Sequence, residues 1–246
     1  MAARSAISLF HPHLPQLSSK PRASHLALSS SSSISQTNKS EVSFCAGTHL
    51  IPHPRKVEKG GEDAFFVGSY NGGVLAIADG VSGIVAMLEK SGILRIANVG
   101  DCGLRIIRKG KVIFSTTPQE HYFDCPFQLS SEIVGQTYED AVVSNVEVME
   151  GDTIVMGSDG LFDNVFDHEI VSVTSTHKDA SEAATALASL ANKHSIDVEF
   201  DSPYAKEARD QGFDVSIWQK LLGRKLTGGK LDDITVIVGQ VVSSFE

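Results

Sequence analysis

Six short apolar runs follow one another between Ala64 and Thr117, each closed by a turn signal. They read AFFVGS (64–69), GVLAIA (73–78), IVAMLE (84–89), ILRIANVG (93–100), GLRIIRKG (103–110) and KVIFSTT (111–117). Tyr70-Asn71-Gly72, Lys90-Ser91-Gly92 and Lys109-Gly110 supply the turns. Apolar runs this short, spaced this way, predict antiparallel sheet. VSNVEVMEG (143–151) and DTIVMGS (152–158) continue the pattern, and DITVIVGQVV (233–242) is the last strand. Between them DASEAATALASLANKHS (179–195) carries a helical period. Asp179 and Glu182 have capping-box spacing, and Ala183, Leu187, Leu190 and Ala191 form one apolar face. A second short helix is expected near Asp167. The pattern is α+β: two antiparallel sheets with helices packed outside.

The first forty residues differ from the rest. They hold no Asp or Glu, four basic residues (Arg4, Lys20, Arg22, Lys39) and a serine run from Ser29 to Ser33. An acid-free, Arg/Ser-rich start is the signature of an organellar transit peptide, here of chloroplast type, with a low-complexity linker as the alternative. The expected boundaries are 1–45 for the extension and 46–246 for the folded domain. With no second apolar segment to direct it further, the expected compartment is the stroma. The net charge of −9 includes +4 from residues 1–40, so residues 41–246 carry −13. That excludes nucleic acid as the main partner, because a phosphate backbone selects basic surfaces. No apolar stretch reaches the roughly 18 residues of a membrane span. Cys45, Cys102 and Cys125 form no metal-ligand spacing, and their odd number suits a reducing compartment.

Four acids stand where strands begin or end: Asp63 in GGEDAFF, Asp79 in LAIADGVSG, Asp159 in VMGSDGLFD and Asp232 in GGKLDDITVIV. Any one of them alone is more often a turn former or cap than a functional group. In combination they read as a cation site. Burying unpaired carboxylates is costly, and hard divalent ions, which take oxygen ligands, remove that cost. Gly80 and Gly160 follow two of these acids and permit sharp bends with exposed carbonyls. Competing chemistries lack their motifs: there is no G-x-S-x-G, no phosphate-binding P-loop and no H-E-x-x-H.

GGEDAFF, IADGVSG, ANVGDCG, GSDGLFD and GGKLDDITVIV, in this order, resemble the blocks of the type 2C, metal-dependent serine/threonine protein phosphatases. The likeness runs from about Ile51 to Val242, and HYFDCPFQL (121–129) is similar to the plant organellar branch. The resemblance implies an αββα sandwich and two Mg²⁺ or Mn²⁺ ions, with a weaker third. It assigns Asp79, Asp159 and Asp232 to catalysis. Asp79 would bridge the ions and the Gly80 carbonyl would bind one; Asp159 and Asp232 would complete the first, and Glu62 and Asp63 would serve the second. Asp101 would share the third with Asp159, and Asp233 is the alternative to Asp232. Arg55, Lys56 and Lys59 are candidates to hold the substrate phosphate; a solvated basic patch is the other reading. The implied reaction is attack by a metal-bridging hydroxide on phosphoserine or phosphothreonine. Many members carry a histidine two residues after the bridging Asp; here that position is Val81, so the leaving group would take its proton from metal-bound water. The branch implies phosphothreonines of thylakoid photosystem II core proteins as substrate.

One departure stands out. The family places two amphipathic helices after the DGxxG block, but here Gly83 runs straight into Ile84. One helical layer is therefore expected to be missing, leaving a sheet face bare. A truncated, non-catalytic isoform that binds a partner through that face is the competing reading. A small-molecule phosphohydrolase is a third, to be decided by the polar insertion 200–230, expected to form a flap beside the site. Lys220, Arg224, Lys225 and Lys230 at its basic end could meet phosphorylated segments or form a solvated face.

Overall fold

The computed structural model describes residues 41–130, 135–216, 219–220 and 223–244. Most of the expected transit peptide lies outside them. The described chain opens with β1 (Val42–Ile51), which pairs antiparallel with β12 (Ile234–Ser243) along its whole length. The fold thus begins four residues inside the stretch assigned by sequence to the extension. Val42 is buried, and a strand needs its partner to register.

Sheet A has the order β1-β12-β11-β6-β7, with β6 at Gly103–Arg108, β7 at Lys111–Ser115 and β11 at Thr153–Gly157. Sheet B has the order β10-β5-β4-β3-β2. Its strands are β2 (Asp63–Gly68), β3 (Gly73–Asp79), β4 (Ser82–Leu88), β5 (Ile93–Val99) and β10 (Val142–Glu147). The six runs read from the sequence are all strands. A small ribbon, β8 (Glu120–Tyr122) with β9 (Cys125–Pro126), sits outside both sheets.

The two sheets face each other across one core. Leu75, Ile77, Ile84, Leu88, Leu94 and Ile96 from sheet B meet Leu104, Ile106, Ile154, Met156 and Ile237 from sheet A. A second core seals the far side of sheet A. There Val155, Val236 and Val238 lie under α3 (Ala180–Ser195) with Ala183, Ala184, Leu187 and Ala191. Asp179 caps α3 as expected: its Oδ1 accepts from the N–H of Ser181 and of Glu182, both at 2.9 Å. α2 (Asp167–Thr176) begins at the expected residue. α1 (Asp159–Phe162) and α4 (Pro203–Asp210) complete the helices with assigned spans.

The substantial helix–strand packing falls on sheet A. β3 enters β4 through a two-residue turn, Gly80-Val81, where a helical pair was expected to be missing. Gly80 has φ +52°, a left-handed geometry suited to such a turn. As a result the outer face of sheet B carries an in-register apolar row, Phe66–Ala76–Val85–Ala97–Val143. Phe66 is 59% exposed, Val85 38% and Val143 66%. Among the described residues the fold is the expected sandwich of two antiparallel sheets, with its helical layer on sheet A and none on sheet B.

Candidate active site

β2 and β3 pair so that Asp63, the first residue of one, stands opposite Asp79, the last of the other. Leu75 and Ile77 of β3 fill the space between the sheets, and Asp79 continues their face. Sheet A supplies the other wall. β11 ends at Gly157, Ser158 is the N-cap of α1, and Asp159 is its first residue. β12 starts at Ile234, so Asp232 and Asp233 form its approach. Asp101 lies in the crossing from β5 of sheet B to β6 of sheet A. These acids come together at one end of the sandwich. Gly160 sets the closeness: a Cβ there would lie 2.1 Å from the carbonyl oxygen of Asp233, so only glycine lets α1 rest against the approach to β12.

The electrostatics show the cost of the arrangement. Burial, then the charges of Asp159 and Asp63, push Asp79 up to about 10. Burial raises Asp63, against the Thr235 hydroxyl that donates to its Oδ2 at 2.7 Å. Asp101 and Asp232 are each raised by burial and then by Asp159. Asp63 Oδ1 is buried with no hydrogen-bond partner. Oxygen donors that repel one another, with one of them orphaned, suit a divalent cation. Among the described residues no three acidic, His or Cys side chains already enclose a common point, so an ion would draw the carboxylates inward. The residues fit such an ion by chemistry.

Asp232 and Asp233 separate clearly. Asp233 is 2% exposed, and its carboxylate accepts from the N–H of His53 at 2.5 Å, the N–H of Glu62 at 2.7 Å and Lys56 Nζ at 3.4 Å. Burial would raise it, yet those backbone donors hold it below the usual range. It ties the loop before β2 to β12. The Asp232 carboxyl takes the N–H of Asp233 and feels the charge of Asp159.

The three basic candidates also part ways. Lys56 Nζ pairs with Glu62 at 2.7 Å, while Arg55 and Lys59 are exposed. The basic end of the insertion is largely committed internally: Lys220 pairs with Asp214, and Lys225 with Asp201. Lys230 was read only as part of that basic end, yet it reaches the acids. Its Nζ meets Asp124, Asp159 and Asp163, and it lines a cleft of about 230 Å³ with Asp79, Gly80 and Asp101. Burial would lower its pKa, but Asp163 and Asp159 outweigh burial and raise it. The i, i+4 spacing of Asp159 and Asp163 was the available signal for Asp163; nothing in the spacing pointed to Asp124. The insertion does lie beside the site, with Phe123 against the rings of Tyr204 and Phe213. A larger depression, about 560 Å³, runs along α3 by His177 and holds none of these groups.

Comparison with known proteins identifies the family. No family model matches the chain. Probable protein phosphatase 2C 26 of Arabidopsis thaliana is 54% identical, across 85% of this chain and 87% of that protein. Probable protein phosphatase 2C 1 of Oryza sativa subsp. japonica is 56% identical, across 82% and 77%. The Arabidopsis alignment spans 260 positions, whereas 85% of 246 residues is about 209, so about 51 positions of the relative lack a counterpart here. That gap agrees with a missing internal segment. The crystal structure of the photosystem II phosphatase PBCP is 54% identical with a TM-score of 0.78, covering 80% of this chain and 98% of that one. The catalytic domain of the phosphatase PstP, in complex with two manganese ions, shares the fold at 15% identity and a TM-score of 0.54, covering 82% of this chain and 100% of that one. None of these relatives favours the non-catalytic reading. The chain belongs to the protein phosphatase 2C family.

Proposed function

We propose that the cleft between the sheets is where this metal-dependent phosphatase hydrolyses phosphoserine and phosphothreonine in proteins. The observation that supports it is the convergence of Asp63, Asp79, Asp101, Asp159 and Asp232 on one end of the sandwich, four of them with raised pKa. Asp79 with the Gly80 carbonyl, Asp159 and Asp232 would hold one Mg²⁺ or Mn²⁺; Glu62 and Asp63 would serve a second; Asp101 with Asp159 is the place for a weaker third. Bound ions supply water activation near neutral pH and neutralise charge on the phosphoryl group.

The chain's own residues do the rest. Thr235 fixes Asp63, and Asp233 fixes the loop that carries Glu62. Arg55 and Lys59, exposed beside that loop, are free to meet a substrate phosphate; Lys56 is turned to the acids. Val81 offers no proton at the mouth of the cleft, so the leaving oxygen takes its proton from water.

The substrate reading goes one step further. A solved relative at 54% identity is a photosystem II phosphatase, and residues 1–40 are acid-free and serine-rich. The first supports phosphothreonines of photosystem II core proteins, met at the stromal thylakoid surface, and the second supports a chloroplast transit peptide that ends before β1. No helix among the described residues is long and apolar enough to cross a membrane.

The test is Mn²⁺-dependent hydrolysis of p-nitrophenyl phosphate by the purified chain beside Asp159→Asn. Turnover that requires the metal and disappears in the variant is expected. A variant that keeps its turnover overturns the site, and a soluble, folded parent with no turnover overturns the activity.

A further inference from the structure

We infer that Lys230 is a built-in cation that positions Asp159 and holds off a third divalent ion. The inference rests on reading the cleft as a divalent-metal centre. Lys230 Nζ lies 2.7 Å from Asp159 Oδ2, 2.9 Å from Asp124 Oδ1 and 3.0 Å from Asp163 Oδ2. An ammonium has three N–H donors and no acceptor, so three carboxylates saturate it. Its position is built rather than incidental. The buried Asn164 side chain grips the Lys230 backbone from both sides, accepting from its N–H at 2.9 Å and donating to its carbonyl at 2.8 Å. The same Asn164 Nδ2 donates to the Gly160 carbonyl at 2.9 Å. One side chain therefore couples the loop bearing the lysine to the helix bearing Asp159. The ring of Tyr204, with its centroid 5.3 Å from Nζ, closes another side.

Two consequences follow for metal binding. Asp159 Oδ2 is engaged, which leaves Oδ1 to face an ion and fixes the carboxylate plane. A third ion shared by Asp101 and Asp159 would stand in the same cleft as a fixed positive charge. Lys230 thus supplies, without metal, part of the charge such an ion would bring.

Calorimetric titration of the full chain with Mn²⁺ alone tests this, beside Lys230→Gln and Lys230→Met. The methionine keeps an apolar stem, in case the glutamine variant fails to fold. In the parent, a third Mn²⁺ is expected to bind much more weakly than the first two. In either folded variant, with Asp124, Asp159 and Asp163 freed, the third should bind at least tenfold tighter. Lys230→Arg should keep the parent's behaviour. A parent whose third ion binds as tightly as the others, or variants whose third ion is no tighter, overturns the inference while leaving the metal centre in place. A parent that binds no Mn²⁺ at all overturns the metal centre and this inference with it.

Discussion

Val238 in β12 and Val85 in β4 are the same residue on outward faces of interior strands. Val238 is sealed under α3, whereas Val85 is 38% exposed. Both strands carry an apolar pattern, so strand sequence did not decide the outcome. What differs is the chain beyond. After β11 it folds into α1, α2 and α3, which return over sheet A. After β3 it turns in two residues and goes straight into β4. A sheet face is thus protected by what its connections do, and deleting one connection exposes a surface whose own residues are unchanged.

The largest expected effect lies at the seam the two sheets share. Asp79 has a folded pKa near 10 against an ordinary value of 3.8, so the folded state binds more protons than the unfolded state between those pH values. Stability of the metal-free protein should therefore fall as pH rises through that window. Thermal melts in chelator at pH 5, 7 and 9 should step downward, and Mn²⁺ should restore the high-pH melts; a flat or rising series would remove the strain assigned to the acids. Next comes the covered face. Leu187→Ala opens a cavity under α3 and should cost about 2–5 kcal/mol in a urea melt; a loss below about 1 kcal/mol would mean that α3 does not seal sheet A. Asp179→Ala removes the cap of the same helix and should cost about 0.5–2 kcal/mol. The smallest effect is on the bare face. Val85→Thr should shift stability by no more than about 0.5 kcal/mol and reduce self-association seen by light scattering. A loss comparable to that of Leu187→Ala would show that something covers this face after all.

Much of this was legible in the sequence, and the failures have physical reasons. Hairpin strands announced themselves because each is closed by its own local turn. β1 was missed since nothing local marks it: its partner lies at the other end of the chain. α4 was read only as part of a polar insertion, although Ser202 and Pro203 are a cap and first-turn pair, and Ser202 Oγ does accept from the N–H of Ala205. Two adjacent identical residues carry no local signal, so Asp232 was preferred to Asp233 by resemblance alone; the donors that occupy the Asp233 carboxylate agree with that preference. Lys230 stood in view as one basic residue among several, and only folding reveals which of them meets acids from α1 and the β8–β9 turn.

The pairing of β1 with β12 has a consequence for how the molecule comes into being. Val42 finds its partner about two hundred positions later, in Ser243. The strands β2 to β5 join neighbours along the chain and can zip as soon as they are made, because short loops close at little entropic cost. Sheet A cannot: its second strand in space is the last described in sequence, and the chain leaves the ribosome N-terminus first. Until residues 234–243 emerge, β1 and β11 lack the strand that joins them, and Asp63 lacks the Thr235 hydroxyl that holds it. The carboxylate cluster is therefore completed late in the life of the polypeptide, and a nascent chain halted just short of β12 holds sheet B and β6, β7 and β11 without the strand that ties them to β1.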